Sequence, residues 1–139
     1  MIQYLAENIE LPIIDSRLIG NWIKSVAAVY GKKIANISYV FCSDERILAV
    51  NKQFLNHDYF TDIITFDYSE KNSISGDIFI SIDTVKNNAA EFGVSFEQEL
   101  HRIIIHGILH LCGQDDKTPE LRNEMTQKEN LALAKFPTN

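Results

Sequence analysis

The stretch Ser95-Phe96-Glu97-Gln98-Glu99-Leu100-His101-Arg102-Ile103-Ile104-Ile105-His106-Gly107-Ile108-Leu109-His110-Leu111-Cys112-Gly113 decides how the chain reads. Ser95 followed three residues later by Gln98 fits a capping box, in which the two side chains satisfy backbone N–H groups at a helix start. Gly113 supplies the residue that most readily turns left-handed and ends a helix. The spacing therefore predicts one helix from Ser95 to Gly113, whose apolar run Ile103 to Cys112 is broken by two histidines. His106 and His110 are four residues apart, so at 3.6 residues per turn they leave one face about 6 Å apart along the axis. Each brings into an apolar surface a ring nitrogen that needs a partner, and neutral imidazole is the commonest metal ligand.

Beyond Gly113 the chain turns back through Gln114-Asp115-Asp116, which makes a carboxylate available as a third ligand, from Asp115 or Asp116. Three protein ligands leave an open position on zinc, where the pKa of a water falls to about 7, the pattern of a catalytic and not a structural site. The bland alternative is a chance histidine pair hydrogen-bonded to backbone or carboxylates. Gly107 stands where H-E-x-x-H peptidases place their glutamate base, which argues against proteolysis by that route.

Working outward, Ile2 to Leu5 reads as a short strand. Asp15 or Ser16 can cap a helix whose Leu18, Ile19, Trp22, Ile23, Val26 and Ala27 follow helical spacing as far as Gly31. Ile34 to Phe41 is a second strand, and Ser43-Asp44-Glu45 opens a helix reaching Phe54 or Leu55. Strands follow at Ile63 to Tyr68 and Asp77 to Ile82, separated by the polar segment Ser69 to Gly76. A helix from Asp83 to Glu91 ends at Gly93, and Thr118-Pro119 opens a last helix to Lys135. This order predicts an α+β fold of mixed α/β layers, with about four strands in a small mixed sheet and about five helices.

The 139 residues fit a single domain, and 45% hydrophobic with 23% charged residues is an ordinary globular balance. No apolar run approaches the roughly 20 residues of a membrane span, and the acidic start lacks a signal-peptide pattern, so a cytoplasmic location is expected. Cys42 and Cys112 have no CxxC spacing and read as free, buried thiols. The net charge of -6 argues against broad electrostatic capture of nucleic acid, so any RNA contact must use local cations. The Lys32-Lys33 pair is one candidate, although solvation alone explains it.

The segment His106-Gly-Ile-Leu-His110-Leu-Cys-Gly113-Gln-Asp115-Asp116 resembles the signature H-G-x-L-H-L-x-G-x-D-H of the YbeY family, bacterial metal-dependent endoribonucleases acting on ribosomal RNA. Only the final histidine differs. Glu99-Leu100, Thr61-Asp62-Ile63-Ile64-Thr65-Phe66 and Gly76-Asp77-Ile78 also look like family segments in the right order, so the resemblance runs from Val50 to Asp116. It implies a zincin-like metal-binding helix and one zinc ion held by His106, His110 and Asp116. Carboxylate oxygen is an accepted zinc ligand, and Asp115 competes for the role. A carboxylate in place of imidazole lowers the site's charge by one and should make a coordinated water less acidic. Leu55 stands where the family carries arginine in the N-x-x-x-R segment starting at Asn51.

Two further residues are singled out as catalytic. Arg102 forms a four-residue ladder with His106 and His110 and is placed to grip phosphate bidentately, against the plainer reading of an ion pair with Glu99. Asp77 is a candidate to orient the site or move a proton, against a turn or cap role. His57 and Asp58 are explained by an exposed loop. The resemblance implies a single-strand-specific endoribonuclease that matures rRNA, including the 16S 3' end, and serves ribosome quality control, with RNA and ribosome as partners and neither DNA nor membrane. A ribosome-associated assembly factor with structural zinc and no cleavage is the competing expectation, and hydrolysis of another small substrate at the same metal is a third.

Overall fold

A computed structural model describes residues 1–55 and 63–137, with the side chains of 54 and 55 left aside. The expected His57, Asp58 and the Thr61-Asp62 end of the family segment lie outside the described residues. Among these residues, four strands form one sheet: β1 (Ile2–Ala6), β2 (Lys33–Cys42), β3 (Ile63–Asp67) and β4 (Ser73–Ser81), in the order β1-β2-β4-β3. The β1, β2 and β4 strands are parallel and β3 runs antiparallel along β4, which makes the sheet mixed as expected. Five helices accompany it: α1 (Ser16–Val29), α2 (Asp44–Val50, continued by a π-helical turn over Asn51–Leu55), α3 (Ile82–Phe92), α4 (Phe96–Leu111) and α5 (Pro119–Ala134).

The helix starts follow local chemistry. Asp15, Ser43, Ser81, Ser95 and Thr118 each accept a backbone N–H from three residues on. At Ser95 the capping box is complete, since the Gln98 side chain also accepts from the Ser95 N–H at 3.0 Å. Asp44 ties two caps together: its carboxylate accepts from the Ser81 hydroxyl and, at 2.7 Å, from the Thr84 hydroxyl.

The fourth strand departs from expectation, because it begins at Ser73 and not at Asp77. Ser73-Ile74-Ser75-Gly76 carries one large apolar side chain and reads as a loop. Pairing supplies what the composition lacks, because Ser73 and Ile74 lie against Lys33 and Ile34 of β2 while Glu70 and Ser73 close a tight turn by two hydrogen bonds of 2.9 Å.

Helix α4 is the hub, with ten of its sixteen residues buried and contacts to α1, α3, α5, β3 and β4. Ile104, Ile105 and Ile108 are fully buried, each worth about 1.5–3 kcal/mol of transfer from water. Two long-range bonds pin the core: the Tyr39 hydroxyl donates to the Ile104 carbonyl and the Trp22 indole N–H to the Ala132 carbonyl, both at 2.8 Å. At Gly107 the helix sits so close to the sheet that a Cβ would stand 3.0 Å from Ile78 and 3.2 Å from Ile63. The opposite sheet face carries a smaller cluster of Cys42, Ile47, Val50 and Ile64 under α2. Cys42 is buried and Cys112 half-buried, both free, and burial pushes their thiols up to about 12 and about 11.

Candidate metal centre

His106 and His110 leave α4 one turn apart, with ring centroids 4.7 Å apart. Hydrogen bonds shape the turn that follows. Gly113, at φ 105, donates to the His110 carbonyl at 2.9 Å, and the Gln114 N–H reaches back to the Leu109 carbonyl at 3.0 Å, the double closure of a Schellman turn. The buried Gln114 side chain then donates to the Asp115 carbonyl at 2.8 Å. The Asp115 carboxylate is spent on the turn itself, accepting from the N–H groups of Asp116 at 2.7 Å and Lys117 at 3.1 Å.

That turn aims Asp116 at the histidines. Its Oδ2 lies 3.3 Å from Nε2 of His106 and 3.3 Å from Nε2 of His110. Two donors bound tetrahedrally at about 2.0–2.1 Å to one zinc stand about 3.3 Å apart, so the spacing suits a shared ion. Among the described residues, these three form a group of donor atoms lying within 4.8 Å of one another. Two imidazoles and one carboxylate are a donor set that zinc accepts. Burial, and after it the neighbouring His106, hold His110 below the ordinary imidazole pKa despite Asp116, which favours the neutral ligand form. Asp116 and not Asp115 takes the third position of the cluster.

The site opens on one side. Ile63, Thr65 and Asp67 on the β3 edge, with His110 and Leu111, line a groove of about 270 Å³. A larger cavity of about 630 Å³ lies on the α5 side, walled in part by Phe92, His101, Arg102 and Glu129, and includes none of the three converging residues. The smaller groove is the one that meets the donor atoms.

The two residues expected to be catalytic lie elsewhere. Arg102 turns towards α5: its Nη1 donates to Glu129 and its Nη2 to Asn130, both at 2.8 Å. The carboxylate of Glu129 is buried under α5 and draws the guanidinium to it. Asp77 alternates with Gly76 and Ile78, which face α4, so it points to the other side of the sheet, where the Tyr68 hydroxyl donates to it at 3.3 Å. Lys33 is exposed, whereas Lys32 is half-buried with its ammonium on the Lys71 carbonyl at 2.8 Å.

Glu129 is the residue the sequence reading passed over. Its Oε2 stands 2.6 Å from Nδ1 of His106. Burial would raise its carboxyl, but hydrogen bonds from His106 and Arg102 hold it below the ordinary value. The available signal was a charged residue in a core stripe, since Met125, Glu129 and Ala132 are the buried residues of α5 at helical spacing.

The family described as Endoribonuclease YbeY matches residues 4–137. An Endoribonuclease YbeY of Parabacteroides distasonis is 60% identical over 136 residues, covering 98% of this chain and 96% of the relative. One from Bacteroides thetaiotaomicron is 56% identical over 133 residues, covering 96% and 97%. The solution structure of TM1509 from Thermotoga maritima superposes with a TM-score of 0.68 at 28% identity, covering 98% of this chain and 89% of that one. With its family pattern matched nearly end to end, this chain belongs to the Endoribonuclease YbeY family.

Proposed function

We propose that this chain is a single-domain, zinc-dependent endoribonuclease that cuts single-stranded RNA during rRNA maturation, including the 16S 3' end, and in ribosome quality control. The convergence of the His106 and His110 Nε2 atoms with Asp116 Oδ2, each 3.3 Å from the carboxylate, carries the metal half of this reading. Membership of a family described as endoribonucleases carries the other half. His106, His110 and Asp116 would hold the ion. Bound there, zinc would supply Lewis acidity to a phosphoryl oxygen and acidify a water at its open position.

The chain's own residues supply placement. Asp116 in place of a third imidazole lowers the charge of the donor set by one and so tempers the acidity gained. The groove beside His110, floored by Thr65 and Asp67 on the β3 edge, gives a phosphodiester a place to lie next to the donor atoms. No helix among the described residues is long and apolar enough to cross a membrane, in keeping with work on ribosomes in the cytoplasm.

The assembly-factor reading, with zinc structural and cleavage absent, is disfavoured by membership of a family described as endoribonucleases. The deciding experiment incubates zinc-loaded protein with a single-stranded RNA and with a duplex of the same sequence, beside His110→Ala. Cleavage of the single strand that disappears in the variant and on chelation is expected. Zinc bound at one per chain with no cleavage would hand the case to the assembly factor. Metal-dependent turnover of model phosphodiesters or amides without RNA cleavage would favour a small substrate.

A further inference from the structure

We infer that Glu129 is a positioning residue for the metal centre: it fixes His106 with the proton on Nδ1 and so presents Nε2 as the ligand. The inference rests on the proposed metal site and adds to it a residue of α5, outside the histidine signature.

An imidazole binds a metal through one nitrogen, and its hydrogen bond at the other decides which nitrogen is free to do so. A carboxylate can only accept, so the 2.6 Å contact between Glu129 Oε2 and His106 Nδ1 requires the proton to sit on Nδ1. In the neutral ring that metal binding requires, Nε2 then carries the lone pair, and Nε2 is the atom that faces Asp116 at 3.3 Å. Glu129 cannot drift from this task. It is 7% exposed, its other oxygen is held by Arg102 at 2.8 Å, and Arg102 is held in turn by Asn130 at 2.8 Å. The chain Asn130, Arg102, Glu129, His106 therefore ends on a ligand atom.

One histidine of the proposed site is thus set by a carboxylate delivered from α5. Arg102 enters the same account: it acts through Glu129 and not on the substrate.

Glu129→Gln separates this role from simple space filling, since the two side chains have nearly the same shape. The amide offers one acceptor oxygen, which the charged Arg102 claims, and its NH2 is left facing His106 Nδ1. The imidazole then carries its proton on Nε2 and loses its ligand lone pair. Glu129→Ala is the second variant and leaves the tautomer unfixed.

The test has two readouts on wild type and both variants. Nitrogen NMR of the metal-free proteins at mildly alkaline pH reports the His106 tautomer, and competition with a chromophoric chelator reports zinc affinity. Expected are Nδ1–H in wild type, Nε2–H in Glu129→Gln and a mixture in Glu129→Ala, with zinc bound about 10- to 100-fold more weakly by both variants. Wild-type affinity and tautomer in folded Glu129→Gln would overturn the inference. Wild type that binds no zinc would sink the metal-centre reading instead, while the tautomer measurement would still decide what Glu129 does to His106.

Discussion

His101 and His106 stand five residues apart on α4 and meet opposite fates. His101 is 8% exposed, with its ring stacked 4.2 Å from Phe136 and tilted against Trp22 at 5.9 Å. Glu97, on the solvent side, stands 3.9 Å from its Nε2. His106 has a buried carboxylate on Nδ1 and a half-buried one facing Nε2. Both rings are attached to the same apolar helix, so propensity and burial do not separate them. The difference lies in what faces the nitrogens: aromatic rings make His101 a core residue, and two opposed carboxylates surround His106, the ligand of the proposed site. A histidine in a core stripe is thus read by its partners, which come from elsewhere in the chain.

The strongest way to break this comparison is Asp116→Ala, which removes the group that both Nε2 atoms face. Zinc affinity should fall by more than about 100-fold, beyond the 10- to 100-fold typical of losing an outer partner, as measured by chelator competition. Unchanged affinity would show that the opposed carboxylates do not define the ligand end of α4.

Phe136→Ala tests the other end. Phe136 is partly buried, so its loss should lower stability by about 2 kcal/mol, below the 3–5 kcal/mol of a fully buried phenylalanine, in denaturant unfolding of the metal-free protein. Zinc affinity should not move. A fall in affinity would show that the two histidine environments are one unit.

The smallest effect sharpens the contrast through pH. Burial holds His101 below the ordinary imidazole pKa, despite an opposing pull from Glu97. The unfolded chain therefore takes up a proton near pH 6.5 that the folded chain refuses, and stability falls as pH drops below about 6.5. His101→Phe should change stability at neutral pH by less than about 1 kcal/mol while flattening that acid loss, measured as unfolding midpoints across the range. An acid slope identical to wild type would mean that His101 is not held neutral by its aromatic cage.

What could be read in the sequence is what local chemistry decides. Ser95 with Gln98, Thr118 with Pro119, and Gly113 at its positive φ each act within a few residues, so α4, α5 and the turn toward Asp116 were legible before any tertiary contact. The histidine pair was legible for the same reason. The start of β4 was not, because Ser73 and Ile74 become a strand only by pairing with Lys33 and Ile34 some forty residues earlier. Arg102 looked free for phosphate because its partners, Glu129 and Asn130, lie 27 and 28 residues away on α5. Asp77 sat in the right family segment, yet strand alternation puts it on the far face of the sheet. The choice between Asp115 and Asp116 needed the turn itself, in which Asp115 is consumed by two backbone N–H groups.

The Schellman turn after α4 also bears on how metal and folding are linked. It compresses all three donors into the eleven residues from His106 to Asp116, a span that stays short when the chain unfolds. Under the proposed reading, the denatured ensemble therefore keeps some hold on zinc, and an ion that binds both states stabilises the native one only by the difference. The part of the affinity that exists in the folded state alone is what α5 brings across. Raising zinc concentration should thus lift the melting temperature less than the native-state affinity would suggest, and the lift that remains measures the tertiary share of the site.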